Sequence, residues 1–212
     1  MEISSLIEFV FRWGHFLFGI TWIGMLYYFN FVQGEYFKEA EPSAKSDAVK
    51  KLAPRALWWF RWGAAGTFLT GVALFGHMLD RANIYIYGGM LMGTLMFLNV
   101  WLIIWPAQKI VCGIVEGDAG VAGPKALLAS RTNTLLSGPM LFFMGASSHL
   151  GGSVAMPLSG DFSGMGFIAI MAVIIAVEAN GLFGKLGPIA SVKGVIHGSL
   201  ALTAVLCGLS LL

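Results

Sequence analysis

The chain has 212 residues, 57% of them hydrophobic and 11% charged, with a formal net charge of +2 and a mean hydropathy of +0.78. A soluble domain carries about 25% charged residues, so this composition excludes an ordinary soluble fold and marks residues 1–212 as one membrane domain. The basic residues form no patch that would suit a nucleic acid. The two cysteines, Cys112 and Cys207, lie outside any CxxC or CxxCH pattern, so no thiolate zinc site and no covalently attached haem are expected.

A membrane-spanning helix needs about 20 mostly apolar residues. The hydropathy predicts six spans, at 6–32, 56–79, 84–106, 134–154, 163–184 and 192–212, in an all-α polytopic bundle. The first is expected to be retained, because Met1-Glu-Ile-Ser-Ser lacks a basic n-region and a small-residue cleavage site. The stretch 33–55 is polar, and Pro42-Ser43 can start a short amphipathic helix with Ser43 as N-cap. Pro106 is expected to end the third span. The glycine-rich run from Cys112 to Pro124 reads as irregular, followed by a short helix from Lys125.

Lysine and arginine placement predicts the orientation. Lys38, Lys45, Lys50, Lys51, Arg55, Lys109, Lys125, Arg131, Lys185 and Lys193 fall on one side, against Arg12 and Arg81 on the other. Ten against two puts both termini on the non-cytoplasmic side. Trp58, Trp59, Trp62, Trp101 and Trp105 then form an aromatic belt near the cytoplasmic interface, beside Arg61.

Ionisable residues inside spans mark candidate chemistry. Glu8, Arg12, His15, Gly19 and Trp22 follow helical spacing and share one face of the first helix, which should turn inward. The second helix presents Gly63, Gly66, Thr70, Ala73 and His77, and the fourth Gly138, Phe142, Gly145 and His149. Small residues in such rows either let helices approach closely or clear space for a flat macrocycle beside an imidazole. His15, His77 and His149 are expected at similar depth toward the non-cytoplasmic side, as haem or copper ligands would be. His77 sits close to Asp80 and Arg81 and reads equally as an interfacial residue. His197 and Glu178 are expected at one depth near the other side, as a proton relay or a structural pair, and Asn99 as interhelical glue. The eleven methionines raise the question of copper, since thioether is a soft ligand. Met140 and Met144 lie on a different face from His149, and lipid contact or gap-filling accounts for such residues equally. No Walker loop, GxSxG or HExxH occurs.

Three stretches carry a resemblance: Arg12-Trp-Gly-His-Phe-Leu-Phe-Gly-Ile-Thr-Trp-Ile-Gly24, Asn99-Val-Trp-Leu-Ile-Ile-Trp-Pro-Ala-Gln-Lys109, and the run from Arg131 through Ser137-Gly-Pro-Met140 to His149. With Trp59-Phe-Arg-Trp62, they resemble the N-terminal membrane domain of bacterial cytochrome-c-linked urate oxidases, over residues 10–150. The first stretch is also similar to the first helix of membrane protoporphyrinogen oxidases and copper-resistance membrane proteins. The resemblance implies a stand-alone redox module of the bacterial inner membrane, without the cytochrome c domain, and carries the family's histidines over to His15 and His149.

The expectation is therefore a multi-pass oxidoreductase-type protein binding haem b. His15 and His149 would be the axial pair, His77 a substitute ligand and Arg12 a neighbour of a propionate. A quinone or a c-type cytochrome would be its electron partner. Two other readings stand beside it: a cofactor-free assembly subunit of a larger membrane complex, and copper or other metal handling. Glycine-rich faces of the second and third helices could serve a homo-oligomer.

Overall fold

The structure is a computed structural model that describes residues 3–150 and 162–212, and every element in those residues is helical. Helix α1 (Ile3–Tyr27) continues through a π-helical turn at Tyr28–Gln33 into α2 (Gly34–Glu39), a rod of 37 residues that outruns the expected 6–32 span. The short α3 (Pro42–Asp47) follows, with Glu41 as its N-cap residue and Pro42 in its first turn. Proline suits that first turn because its fixed φ is already helical and its missing N–H would be unpaired there anyway. The expected cap at Ser43 is thus displaced by two residues.

A second π-helical turn at Ala48–Leu52 leads into α4 (Ala53–Gly76), and α5 (Ile84–Leu98) begins after a short turn. Asn83 fixes that start: its Oδ1 accepts from Ile86 N at 3.1 Å, and its Nδ2 donates to the Ser147 carbonyl at 2.9 Å. Pro106 does not end the third span. It lies in the first turn of α6 (Trp105–Val111), reached through a π-helical turn at Asn99–Ile104. The wider turn relieves the clash a proline ring makes with the carbonyl four residues back.

Helix α7 (Ala119–His149) is the other departure from expectation. Asp118 caps it by accepting from Gly120 N at 2.7 Å, and the helix runs unbroken for 31 residues with Pro124 and Pro139 inside. The expected short helix from Lys125 and the expected fourth span are one element, and residues 151–154 of that span lie outside the described residues. Helices α8 (Met165–Phe183) and α9 (Val192–Leu209) complete the chain.

The segments Ile3–Glu39, Ile84–Val111, Met165–Phe183 and Val192–Leu209 are each long and apolar enough to cross a membrane. Helices α4 and α7, of 24 and 31 residues, have the length but a more polar composition. Large apolar side chains cover outward faces, among them Phe9, Trp13, Phe16 and Ile20 of α1 and Leu69 and Val72 of α4, as contact with lipid requires. Trp58, Trp59, Trp62 and Trp101 form one run of ring contacts, with Trp62 edge-on to Trp101 at 5.5 Å, and the Arg61 guanidinium lies 3.9 Å above Trp105.

The packing separates into tight and loose contacts. Helix α1 lies along α4, and α5 along α7, whereas these two pairs touch each other more sparsely. Helix α9 packs on α7, and α8 on both α5 and α7. Glycines make the tight pairs close. A Cβ on Gly63 would stand 3.0 Å from Trp22 N and 3.2 Å from its Cα, and one on Gly88 would stand 2.7 Å from the Phe143 ring. Gly66 meets the ring of Phe18, Gly89 meets Met144, and Gly138 meets Ser199 of α9. The small-residue rows thus serve packing within the chain, on the faces expected to be available to a second copy.

Candidate functional site

The stripe of α1 turns inward as its spacing requires. Glu8, Arg12, His15 and Gly19 are partly buried and Trp22 is fully so, while Phe9, Trp13, Phe16 and Ile20 beside them are exposed. Arg12 Nη2 donates to Glu8 Oε1 at 2.5 Å, one turn from His15.

Where the two helix pairs meet, they leave a pocket of about 70 Å³, open on one side. One wall is His15 and Trp22 of α1 with Thr67, Phe68, Gly71 and Val72 of α4. The facing wall is Met90, Gly93 and Thr94 of α5 with Met140 and Met144 of α7. Protein interiors pack at close to crystal density and hold few voids larger than a water. At about 70 Å³ this one is roomier than the roughly 10–15 Å³ a single buried water needs.

His15 is held in one orientation. The Thr70 hydroxyl directs its single hydrogen to backbone, with Gly66 O at 2.6 Å and Thr67 O at 3.0 Å. With that hydrogen on the backbone, its oxygen, 3.1 Å from His15 Nδ1, would accept from the ring. A ring hydrogen on Nδ1 would leave the Nε2 lone pair free, the arrangement found where a histidine ligates a metal. Gly71 seats the ring: a Cβ there would lie 3.2 Å from His15 Cε1. Across the pocket, a Cβ on Gly93 would meet nothing within 4 Å. Trp22 adds an unmet donor, since its indole N–H is buried without an acceptor among the described residues.

The other candidate histidines stand elsewhere. His77 is an exposed residue just past the end of α4, and its carbonyl accepts from Arg81. It lies seven residues beyond Thr70, about 10 Å further along a helix rising 1.5 Å per residue. His149 is exposed at the last position of α7, its Nδ1 within 2.9 Å of the Gly145 carbonyl. The similar depth expected for the three does not hold, and neither His77 nor His149 lines the pocket.

The expected partner of Glu178 is also replaced. Glu178 is buried, and its Oε2 accepts from Asn99 Nδ2 at 3.1 Å. The same Asn99 amide donates to Asn133 Oδ1 at 2.9 Å, and Asn133 Nδ2 donates to the Met96 carbonyl at 2.9 Å. His197 is exposed on α9. Asn99 thus ties α5, α7 and α8 together, as a polar residue within apolar helices is expected to do.

Among the described residues no three His, Cys, Asp or Glu side chains come together as a metal site. The pocket's candidate donors are instead one imidazole and thioethers. The sequence holds a signal for this in the face shared by Met140 and Met144, apart from His149; what it lacks is the helix against which that face packs. Comparison with family models, with curated proteins and with solved structures finds no match to this chain.

Proposed function

We propose that this chain is a six-span membrane redox protein that binds b-type haem in the pocket beside His15. It would pass electrons between a quinol or a partner subunit and a c-type cytochrome. The observation that carries the reading is His15 itself: a ring hydrogen-bonded to Thr70 on the wall of an apolar pocket of about 70 Å³. Gly71 and Gly93 keep side-chain bulk out of it, and the unmet Trp22 N–H suits an occupant bearing an oxygen acceptor.

Bound haem supplies one-electron chemistry. The chain's residues do the rest. His15 offers the ligating nitrogen, and Thr70 fixes the ring's tautomer and raises its basicity. The apolar walls keep water and ions away, and Arg12, tied to Glu8, places a cation one turn from His15 on the same face. In this reading α4 and α7 are spans as well, supported by their length and by their place among the apolar helices. The ten-to-two distribution of lysine and arginine supports non-cytoplasmic termini in a bacterial inner membrane.

An optical spectrum with metal analysis of the purified protein tests the reading. The expected result is a Soret band and a pyridine haemochrome, both lost in His15→Ala. Colourless protein that carries copper would replace this reading with metal handling. Colourless, metal-free protein from haem-replete cells would leave an assembly subunit.

A further inference from the structure

We infer that a second cavity, apart from the His15 pocket, binds a small neutral molecule of the carboxamide class. The cavity has a volume of about 110 Å³ and lies where the rod of α1 and α2 meets α4, α6 and α7. It shares no lining residue with the His15 pocket, so it stands apart from the haem reading. Three observations carry it.

The first is backbone. The three π-helical turns among the described residues all border this one cavity. The turn at Tyr28–Gln33 contributes Asn30 and Gln33 to its wall, and the turn at Asn99–Ile104 contributes Ile104. Ala53, which closes the turn at Ala48–Leu52, lines it as well. In each turn the closing N–H reaches five residues back: Gly34 to Phe29 O, Ala53 to Ala48 O and Trp105 to Val100 O. Turns of this kind are rare and occur frequently at functional sites.

The second is polarity without charge. Asn30, Gln33, Gln108 and Ser130 line the cavity, and none of its lining residues is ionisable. Asn30 Nδ2 donates to Leu26 O at 2.9 Å and to Ser130 Oγ at 2.8 Å, so the Ser130 hydroxyl keeps its own hydrogen for another partner. Gln33 Oε1 is buried without a donor among the described residues. Gln108 adds an amide that both donates and accepts. An ion would find no counter-charge here to offset its desolvation. A wholly apolar occupant would leave these groups unpaired.

The third is shape. The rest of the wall is apolar and includes Leu57 and the rings of Phe29 and Phe60, which stand edge-on to each other at 5.6 Å. Polar side chains beside aromatic surface suit a planar group with hydrogen-bonding edges and apolar faces. A carboxamide has that form, whereas a cluster of waters has no apolar face to set against the rings. A cavity of about 150 Å³ accepts the six heavy atoms of benzene, so this one takes about four or five. Acetamide has four.

Equilibrium dialysis of radiolabelled acetamide against the purified full chain in detergent, with empty micelles as the blank, tests the inference. The expected result is saturable binding, one acetamide per chain, displaced by unlabelled acetamide and not by acetate, which has the same size and shape but carries a charge. Gln33→Leu and Gln108→Leu should each weaken it about tenfold, the upper end of what one hydrogen bond contributes. Wild-type protein without saturable binding above the blank overturns the inference and leaves a cavity that holds water only. Displacement by acetate as effective as by acetamide overturns the neutral class. Full affinity in both glutamine variants overturns the assignment to this cavity.

Discussion

Replacing Asn99 with leucine removes a polar junction while nearly preserving its volume. Asn99 is 2% exposed, and its amide donates to Asn133 Oδ1 at 2.9 Å and to Glu178 Oε2 at 3.1 Å. Hydrogen bonds between spans contribute about 0.6 kcal/mol on average and up to about 1.7, so two of them set a range of about 1–3 kcal/mol. The orphaned acceptors move the expectation to the upper half of that range, since a buried polar atom left unpaired costs about 1–3 kcal/mol and more if charged. The expected loss is about 2–3 kcal/mol, a shift of about 30- to 150-fold in the folded ratio at 1.36 kcal/mol per decade. Unfolding by sodium dodecyl sulfate in mixed micelles, followed by tryptophan fluorescence, measures it. The Glu178→Gln background supplies the double-mutant cycle. If the two changes add to within about 0.5 kcal/mol, Asn99 and Glu178 do not act as one unit and the reasoning fails.

Four further outcomes follow from local surroundings. Thr70→Val removes the acceptor of His15 Nδ1 at nearly constant shape and should weaken cofactor affinity by about 10- to 100-fold, read by haem titration with His15→Ala as reference. Gly63→Val places carbon against the Trp22 backbone, where even a Cβ would stand at 3.0 Å, and should destabilise by about 1–3 kcal/mol as overpacking does. Gly19→Ala, where a Cβ meets nothing within 4 Å, should leave the same unfolding curve nearly unchanged. Cys112 is buried just past the end of α6, and burial pushes its thiol above the ordinary cysteine range. Alkylation at neutral pH should therefore be slow in the folded protein and fast after denaturation, followed by mass spectrometry.

Periodicity made part of this molecule readable. The spacing Glu8, Arg12, His15, Gly19, Trp22 reports an inward face because every member sits on one side of a helix, and their burial follows it. Asn99 was legible for a similar reason: a lone amide in an apolar helix needs a partner on another one. Helix ends were less legible. Hydropathy marks where a segment is apolar, whereas a helix ends where its backbone hydrogen bonds end, so the rod of α1 and α2 runs on to Glu39 and α7 starts back at Ala119 through polar sequence. Which side chains line the pocket opposite His15 depends on the register of α7 against α5. Phe143 on Gly88 and Asn133 on the Met96 carbonyl set that register, and no single helix encodes it.

The glycines explain why the pocket lies where it does. Gly63 and Gly66 draw α4 onto α1, and Gly88 and Gly89 draw α5 onto α7, so backbone nearly touches backbone or ring within each pair. Between the pairs, long side chains stand at the seam instead: Phe68 on Phe97, Phe75 near Tyr87, and Met140 and Met144 opposite His15. Tight pairs act as stiff walls and bulky seam residues act as spacers, which leaves a gap bordered by Gly71 and Gly93. Filling the seam and loosening a pair should therefore differ. Gly93→Leu should block cofactor binding without a loss of fold, whereas Gly63→Val should lower stability first. Haem content and unfolding midpoint, measured on both variants, decide it: if both change together in both proteins, pocket and pair are not separate features.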